Sequence, residues 1–264
     1  MAESNKQTTG ISLAIALQFN GPQPNHFDAP NATAKAMNSG DFIGDVTQGG
    51  SCNAEQVTLN PHCNGTHIET IGHIVEDKQQ QYAPHQVIQS PLVKAYVLTV
   101  NPLNNYQGDE SYMPPINHCD YIISKDMLSC VSKSLQGVKA LIIRTLPNDK
   151  SKKQRQYGVD NEPSFFTHEA MKWLVQKTDI EHLLVDMPSV DKMYDDGLLS
   201  NHRIFWQVDE NGRWLSDDQS HKTITEMIYV PNDVKDGFYT LNLQVVAWQL
   251  NAVPANPVLL PYPL

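Results

Sequence analysis

The sequence lacks any apolar run long enough to cross a bilayer. Its longest stretches, such as that around Leu141-Ile142-Ile143, are short, against the roughly 20 residues that a membrane helix needs. Basic charge is also scarce. Nineteen Lys and Arg stand against 29 Asp and Glu, giving a formal net charge of −10. An acidic surface repels phosphate backbones, so nucleic acid is not an expected partner. There are only four cysteines, Cys52, Cys63, Cys119 and Cys130, and no C-x-x-C pair. Neither a disulfide framework nor a zinc ribbon is read from that spacing. Residues 1–6 show no basic stretch ahead of a long apolar run, so no secretory leader is expected and the expected compartment is the cytoplasm. Internal repeats and low-complexity tracts are absent as well.

What is present describes a folded chain. Forty per cent of residues are hydrophobic and only 18 per cent charged, enough apolar material for a sizeable core and too little charge for a disordered segment. The 264 residues suit one domain spanning 1–264, with polar loop insertions near 146–160 and 207–222. Strands are expected at 11–19, 57–59, 93–100, 140–145, 183–186, 224–230 and 241–250, from short runs of apolar and β-branched residues. Residues 20–30, with Gly21, Pro22, Pro24 and Pro30, read as a loop, as do 103–115. A helix is expected over 164–177, capped by Ser164 or Thr167, with Ala170, Trp173 and Leu174 at helical spacing. The basic run at 148–161 reads as a solvated loop, and Asn211-Gly212 as the turn of the later insertion. The class is mixed α/β with a strong β component.

One short segment concentrates the chemistry. His62, Cys63, His67, Glu69 and His73 fall within twelve residues, and every one of those side chains can bind a divalent transition metal. In an extended chain alternate side chains share a face, so His67 and Glu69 point the same way. Gly65 permits an unusual torsion just before them. Imidazole, thiolate and carboxylate together suit zinc; without the sulfur they also suit manganese.

Gly65-Thr66-His67-x-Glu69-x-x-x-His73 resembles the signature of the cyclase-like metal-dependent hydrolases, the family that includes bacterial kynurenine formamidase and isatin hydrolase. That signature reads H-x-G-T-H-x-D-x-P-x-H. Later segments are similar in the same order: Leu141 to Thr145, Glu169 to Leu174, Val185 to Asp191, His202 to Phe205, Ile224 to Glu226, and 254–261. This chain departs from the signature by carrying Cys63 at the first histidine, Glu69 at the aspartate and Ile71 at the proline.

The resemblance implies a compact α/β domain with a β-barrel-like core and flanking helices, of the swivelling β/β/α type, assembled as a homodimer or larger homo-oligomer. It implies metal ligands at His67, Glu69, His202 and Glu226, with Cys63 or His62 at the first position, and one or two divalent ions. His73 and Glu226 would act on the substrate, a small amide, formamide or cyclic amide cleaved at its C–N bond. A lactone or ester hydrolase, or a metal-containing binding protein without catalysis, are the competing readings. Asp186 is expected to orient a ligand histidine. Ser189 lacks a G-x-S-x-G context and reads as a turn residue. His221, in the polar insertion, reads as solvated. His26, His85, His118, His168 and His182 read as surface or structural.

Overall fold

The computed structural model describes residues 10–76, 81–209, 211 and 219–263. Among these, nine strands join in one sheet: β1 (Ile11–Ser12), β2 (His67–Thr70), β3 (Leu92–Val100), β4 (Ala140–Thr145), β5 (His182–Val185), β6 (Thr223–Glu226), β7 (Gly237–Asn242), β8 (Ala252–Pro254) and β9 (Val258–Leu260). Their order in space is β1-β9-β7-β3-β4-β5-β6-β2-β8. The middle run from β3 to β6 is parallel. Both arms are antiparallel. Among the described residues four α-helices accompany the sheet: α1 (Pro84–Val87), α2 (Lys125–Ser129), α3 (His168–Lys177) and α4 (Ser200–Trp206).

Alternation along the strands explains the layering. In β4, Leu141 and Ile143 join one apolar cluster while Ala140 and Ile142 join another. In β5, Leu183 and Val185 divide from Leu184 in the same manner. A strand buried on both faces reads as a continuous apolar run, and ALIIRT is one. The first face is covered by helices, through Leu128, Ala170, Met171, Leu174, Phe205 and Trp206. The second face is covered by the sheet itself, which curls into a half-barrel and brings Leu13, Leu241, Val253 and Leu259 over it. The stretch 252–260 lies along the site strand β2 as β8, then crosses to the far arm as β9. Leu13 completes the curl. Its N–H donates to Pro257, and its carbonyl accepts from Tyr229 just past β6.

Several expectations need correction. The helix expected from 164 begins at His168, because Phe165 and Phe166 pair as a short strand with Ile122 and Ile123. Thr167 is its cap, accepting from the Ala170 N–H at 3.1 Å. The late strand lies at β7, earlier than 241–250, and only the first two residues of 11–19 form a strand. The strand expected over 224–230 ends at Glu226. Half of the insertion around 207–222 falls outside the described residues, including Gly212 of its Asn211-Gly212 turn.

The basic run is the largest correction. Residues Lys150–Gln154 form a 3₁₀ turn, and Lys152 points inward. Its ammonium donates to Asp186 at 2.7 Å, to the Thr145 carbonyl at 2.7 Å and to the Thr145 hydroxyl at 2.9 Å. All three of its donors are therefore satisfied, which is what permits a buried ammonium. Asp186 is committed to this pair and to Thr145, so it orients no ligand histidine.

Two outcomes follow. Lys152→Ala leaves the Asp186 carboxylate buried without its counter-charge and should cost about 3–5 kcal/mol in urea unfolding; a loss below about 1 kcal/mol would mean that the ion pair is not desolvated. His182 is buried and bonded to the Thr223 hydroxyl at 2.9 Å, and burial lowers its pKa from 6.5 to about 4. A depressed folded-state pKa gives stability that is complete above pH 6.5 and is lost as pH falls toward 4. His182→Gln should flatten that part of the stability profile relative to the native chain.

Candidate metal centre

The register between β2 and β6 builds the centre. Glu226 sits opposite His67, and Ile224 opposite Glu69. Residues facing each other across an antiparallel pair share a face, so one face carries His67, Glu69 and Glu226 together. All three are buried. One metal-ligating atom from each lies within 4.8 Å of the other two. Because β8 pairs along the other side of β2, with Pro254 opposite His67, the site strand is interior to the sheet.

Gly65 sets up the entry to β2. Its φ of 90° is in the left-handed region, where a side chain is strained. Thr66 then locks the segment: its hydroxyl donates to the Met227 carbonyl at 2.5 Å and accepts from the Ile15 N–H at 2.9 Å. The Gly65 carbonyl lies 3.0 Å from His67 Nδ1. A carbonyl only accepts, so Nδ1 carries the proton and Nε2 presents its lone pair. That lone pair faces Glu226 Oε2 at 3.3 Å. Two electron-rich atoms held at that distance call for a proton or a cation between them.

Helix α4 delivers the next ligand. His202 Nε2 lies 2.8 Å from Glu69 Oε1 and 3.7 Å from Glu226 Oε1. Its Nδ1 lies 2.5 Å from Asp191 Oδ2. Asp191 also accepts from the Asn201 N–H at 2.6 Å, the His202 N–H at 3.3 Å and the Tyr112 hydroxyl at 2.6 Å. One carboxylate thus caps α4 and aims the ring that the helix carries. Burial would raise the Asp191 pKa, but the His202 bond and charge outweigh it and hold the group low. Burial opposes charge on His202, yet Glu69 and Asp191 hold its pKa well above 6.5. To ligate through Nε2, His202 must release that proton, which a bound cation favours.

His62 and His73 lie on the outer side of Glu69. His62 Nδ1 is 3.0 Å from Glu69 Oε2, and His73 Nε2 is 3.9 Å from the same oxygen. Their rings stack at 4.3 Å, and His62, Glu69 and His73 form a second group of metal-ligating size. Burial lowers the His73 pKa to about 4, with Glu69 opposing it; the ring is neutral at pH 7. Burial also pulls on His62, but the Glu69 bond and charge raise it overall. Cys63 belongs to neither group among the described residues. Burial, then the Glu226 charge, push its thiol up, away from the thiolate form that ligates. Ile71, at the signature's proline position, is fully buried in the helix-side core and anchors the 3₁₀ turn Ile71–His73. His221 is half-exposed beside Glu181, at 3.7 Å.

The donors fit a divalent ion. Burial and then the Glu69 charge push the Glu226 carboxyl up, while the surrounding histidines outweigh burial at Glu69 and keep it ionised. A cation between the two carboxylates would remove that conflict. Of the expected ligands Cys63, His67, Glu69, His202 and Glu226, the structure brings the last four together and leaves Cys63 out. Sequence reasoning missed Asp191. No local spacing signals it: Asp191 lies eight positions before Leu199, which flanks the start of α4, and reaches the Asn201 and His202 N–H groups only through the fold. Ser189 only accepts from the Asp191 N–H, at 3.1 Å, and has no nucleophile's geometry.

The Cyclase family model matches residues 11–192, more than half of the chain, and the protein belongs to that family. Its fold resembles that of a solved structure described as a potential metal-dependent hydrolase with cyclase activity, at a TM-score of 0.61 and 14% identity, covering 96% of this chain and 98% of that one. It also resembles an isatin hydrolase bound to the product analogue thioisatinate, at 0.61 and 12%, covering 96% and 92%. Isatin hydrolase A from Labrenzia aggregata matches at 0.61 and 10%, covering 96% and 94%. Among curated proteins, none matches. No helix among the described residues is long and apolar enough to cross a membrane.

Removing the Asp191 buttress should weaken the centre without removing a donor. Asp191→Asn is expected to lower zinc affinity about 10- to 100-fold, measured by competition with a chelator of known affinity; unchanged affinity would mean that α4 alone holds His202 in place.

Proposed function

We propose that the protein is a metal-dependent hydrolase that cleaves the C–N bond of a small amide, formamide or cyclic amide. The observation that carries this reading is the His67 Nε2 lone pair converging with the Glu69 and Glu226 carboxylates in a buried site. His67, Glu69, Glu226 and His202 would hold the ion, zinc in first place and manganese as the alternative. The outer group of His62, Glu69 and His73 gives room for a second ion that shares Glu69. When bound, a divalent ion lowers the pKa of water to about 7 and polarises a carbonyl oxygen.

The chain's own groups supply the rest. His73 is neutral and partly open to solvent, so it can take a proton at Nε2 and return it to the leaving nitrogen. Glu69 stays ionised beside it, which stabilises the imidazolium formed. Asp191 fixes His202, and so the direction from which Nε2 would reach the ion. A binding protein without catalysis has no use for an open neutral imidazole at the mouth, and this favours the hydrolase. A lactone or ester hydrolase would use the same groups on a different substrate. A homodimer or higher homo-oligomer in the cytoplasm completes the proposal, and rests on the resemblance in sequence.

The test is elemental analysis of the native protein beside His67→Ala, followed by assays with isatin and formanilide. One or two zinc or manganese ions per chain are expected, with loss in the variant. His73→Ala should keep its metal and lose about 10²- to 10⁴-fold in kcat. Loss of one metal equivalent in His73→Ala would instead make this residue a ligand. No metal in the native chain after incubation with both ions would sink the proposal.

A further inference from the structure

The chain turns tightly just before the signature segment. The Cys63 and Asn64 N–H groups both donate to the Asn60 carbonyl, at 3.1 and 3.0 Å, and the His62 N–H donates to the Asn60 side chain at 3.1 Å. Bonds of that spacing wind a chain as in a helical turn, where neighbouring side chains point about 100° apart. His62 and Cys63 therefore do not face Glu69 together. The imidazole does, with Nδ1 3.0 Å from Oε2, and the thiol joins neither group of metal-ligating atoms among the described residues.

Asn251 holds that imidazole on its other side. It stands immediately before β8, and its backbone carbonyl accepts from the Thr70 N–H at 3.1 Å, at the end of the site strand. Its side-chain nitrogen donates to the Gly72 carbonyl at 3.3 Å. An amide nitrogen only donates, so this bond fixes which way the group lies and turns Oδ1 toward His62 Nε2, 3.0 Å away. An amide oxygen only accepts, so Nε2 carries the proton of that bond, and Nδ1 is the nitrogen left for Glu69. His67 is held in the opposite tautomer: the Gly65 carbonyl takes Nδ1 and leaves Nε2 for the ion. A histidine ligand is oriented in this manner, by an acceptor on the ring nitrogen turned away from the metal.

We infer that Asn251 is a positioning residue of the metal centre: it presents His62 Nδ1 to the ion beside Glu69 Oε2, in place of the thiol at position 63. This rests on the metal-dependent reading above. It adds that the centre departs from the signature by one position, and that its donors are nitrogen and oxygen alone. Without a thiolate, such a set accepts manganese and cobalt as well as zinc.

Cobalt(II) is the probe, because a thiolate bound to it gives a strong charge-transfer band in the near ultraviolet and nitrogen and oxygen donors do not. Metal-free native protein, Cys63→Ser, His62→Ala, Asn251→Leu and Asn251→Asp are titrated with cobalt. Zinc affinity is read by chelator competition, and Tm is recorded for each metal-free form. Native protein is expected to bind cobalt without that band, and Cys63→Ser to bind zinc as native does. His62→Ala should lose the ion beside Glu69 Oε2. Asn251→Leu should weaken zinc binding about 10- to 100-fold, and Asn251→Asp, which restores an acceptor for Nε2, should recover most of that loss. An asparagine with a merely structural role would shift Tm and leave its two variants alike in zinc affinity. A charge-transfer band that Cys63→Ser abolishes, or zinc affinity equal in Asn251→Leu and Asn251→Asp, overturns the inference and leaves the metal-dependent reading standing. Native protein that takes up neither cobalt nor zinc overturns both. Metal bound as described, without hydrolysis of any amide, removes the hydrolase reading alone.

Discussion

Two carboxylates held close in a buried place are the constraint on which the centre depends. Glu69 and Glu226 come from adjacent antiparallel strands, and their meeting is a matter of register. A slip of one residue would turn Ile68 and Thr225 toward the site and send both acids into the apolar interior of the half-barrel. That outcome is blocked from both sides. Ile68 belongs to the apolar cluster inside the curl, while Ile71 and Ile224 belong to the one under the helices. The apolar residues therefore fix where the charges go, and the charges need not hold the strands together.

Asp191 joins this sheet to the helix layer. It closes the start of α4, receives Tyr112 from a distant loop and sets the tautomer of His202. Four hydrogen bonds to one buried carboxylate explain why it stays ionised without a lysine or arginine partner. Lys152 and Asp186 solve the same problem differently, as a buried ion pair closed by Thr145. Asp186 and Asp191 are five positions apart. The first stabilises the end of the parallel strands and the second arranges the chemistry.

Much of this was legible in the sequence. Runs such as ALIIRT named their strands because burial on two faces demands continuous apolar character. The signature segment named His67 and Glu69 because alternate residues share a face. His202 and Glu226 became legible only through resemblance, since no local pattern links them to β2. What escaped had physical reasons. Lys152 sits in a polar, basic stretch, and nothing local distinguishes one inward-pointing lysine from its solvated neighbours. Phe165 and Phe166 precede a helix and were absorbed into its pattern, although pairing with Ile122 and Ile123 takes them into a strand. The choice of His62 over Cys63 against Glu69 depends on a turn held by Asn60 and Asn64, whose geometry no spacing rule supplies.

The stretch 252–260 has a consequence for how the centre comes apart. It lies against the site strand at one end and binds the opposite arm of the sheet at the other, like a hoop around staves. A strand enclosed on both sides cannot fray alone, so amides of β2 should exchange only when the hoop is released. Loss of the metal and loss of the fold then become nearly one event. Any ion held in the native state would slow the opening of the entire half-barrel, and the lifetime of the centre would be that of the molecule.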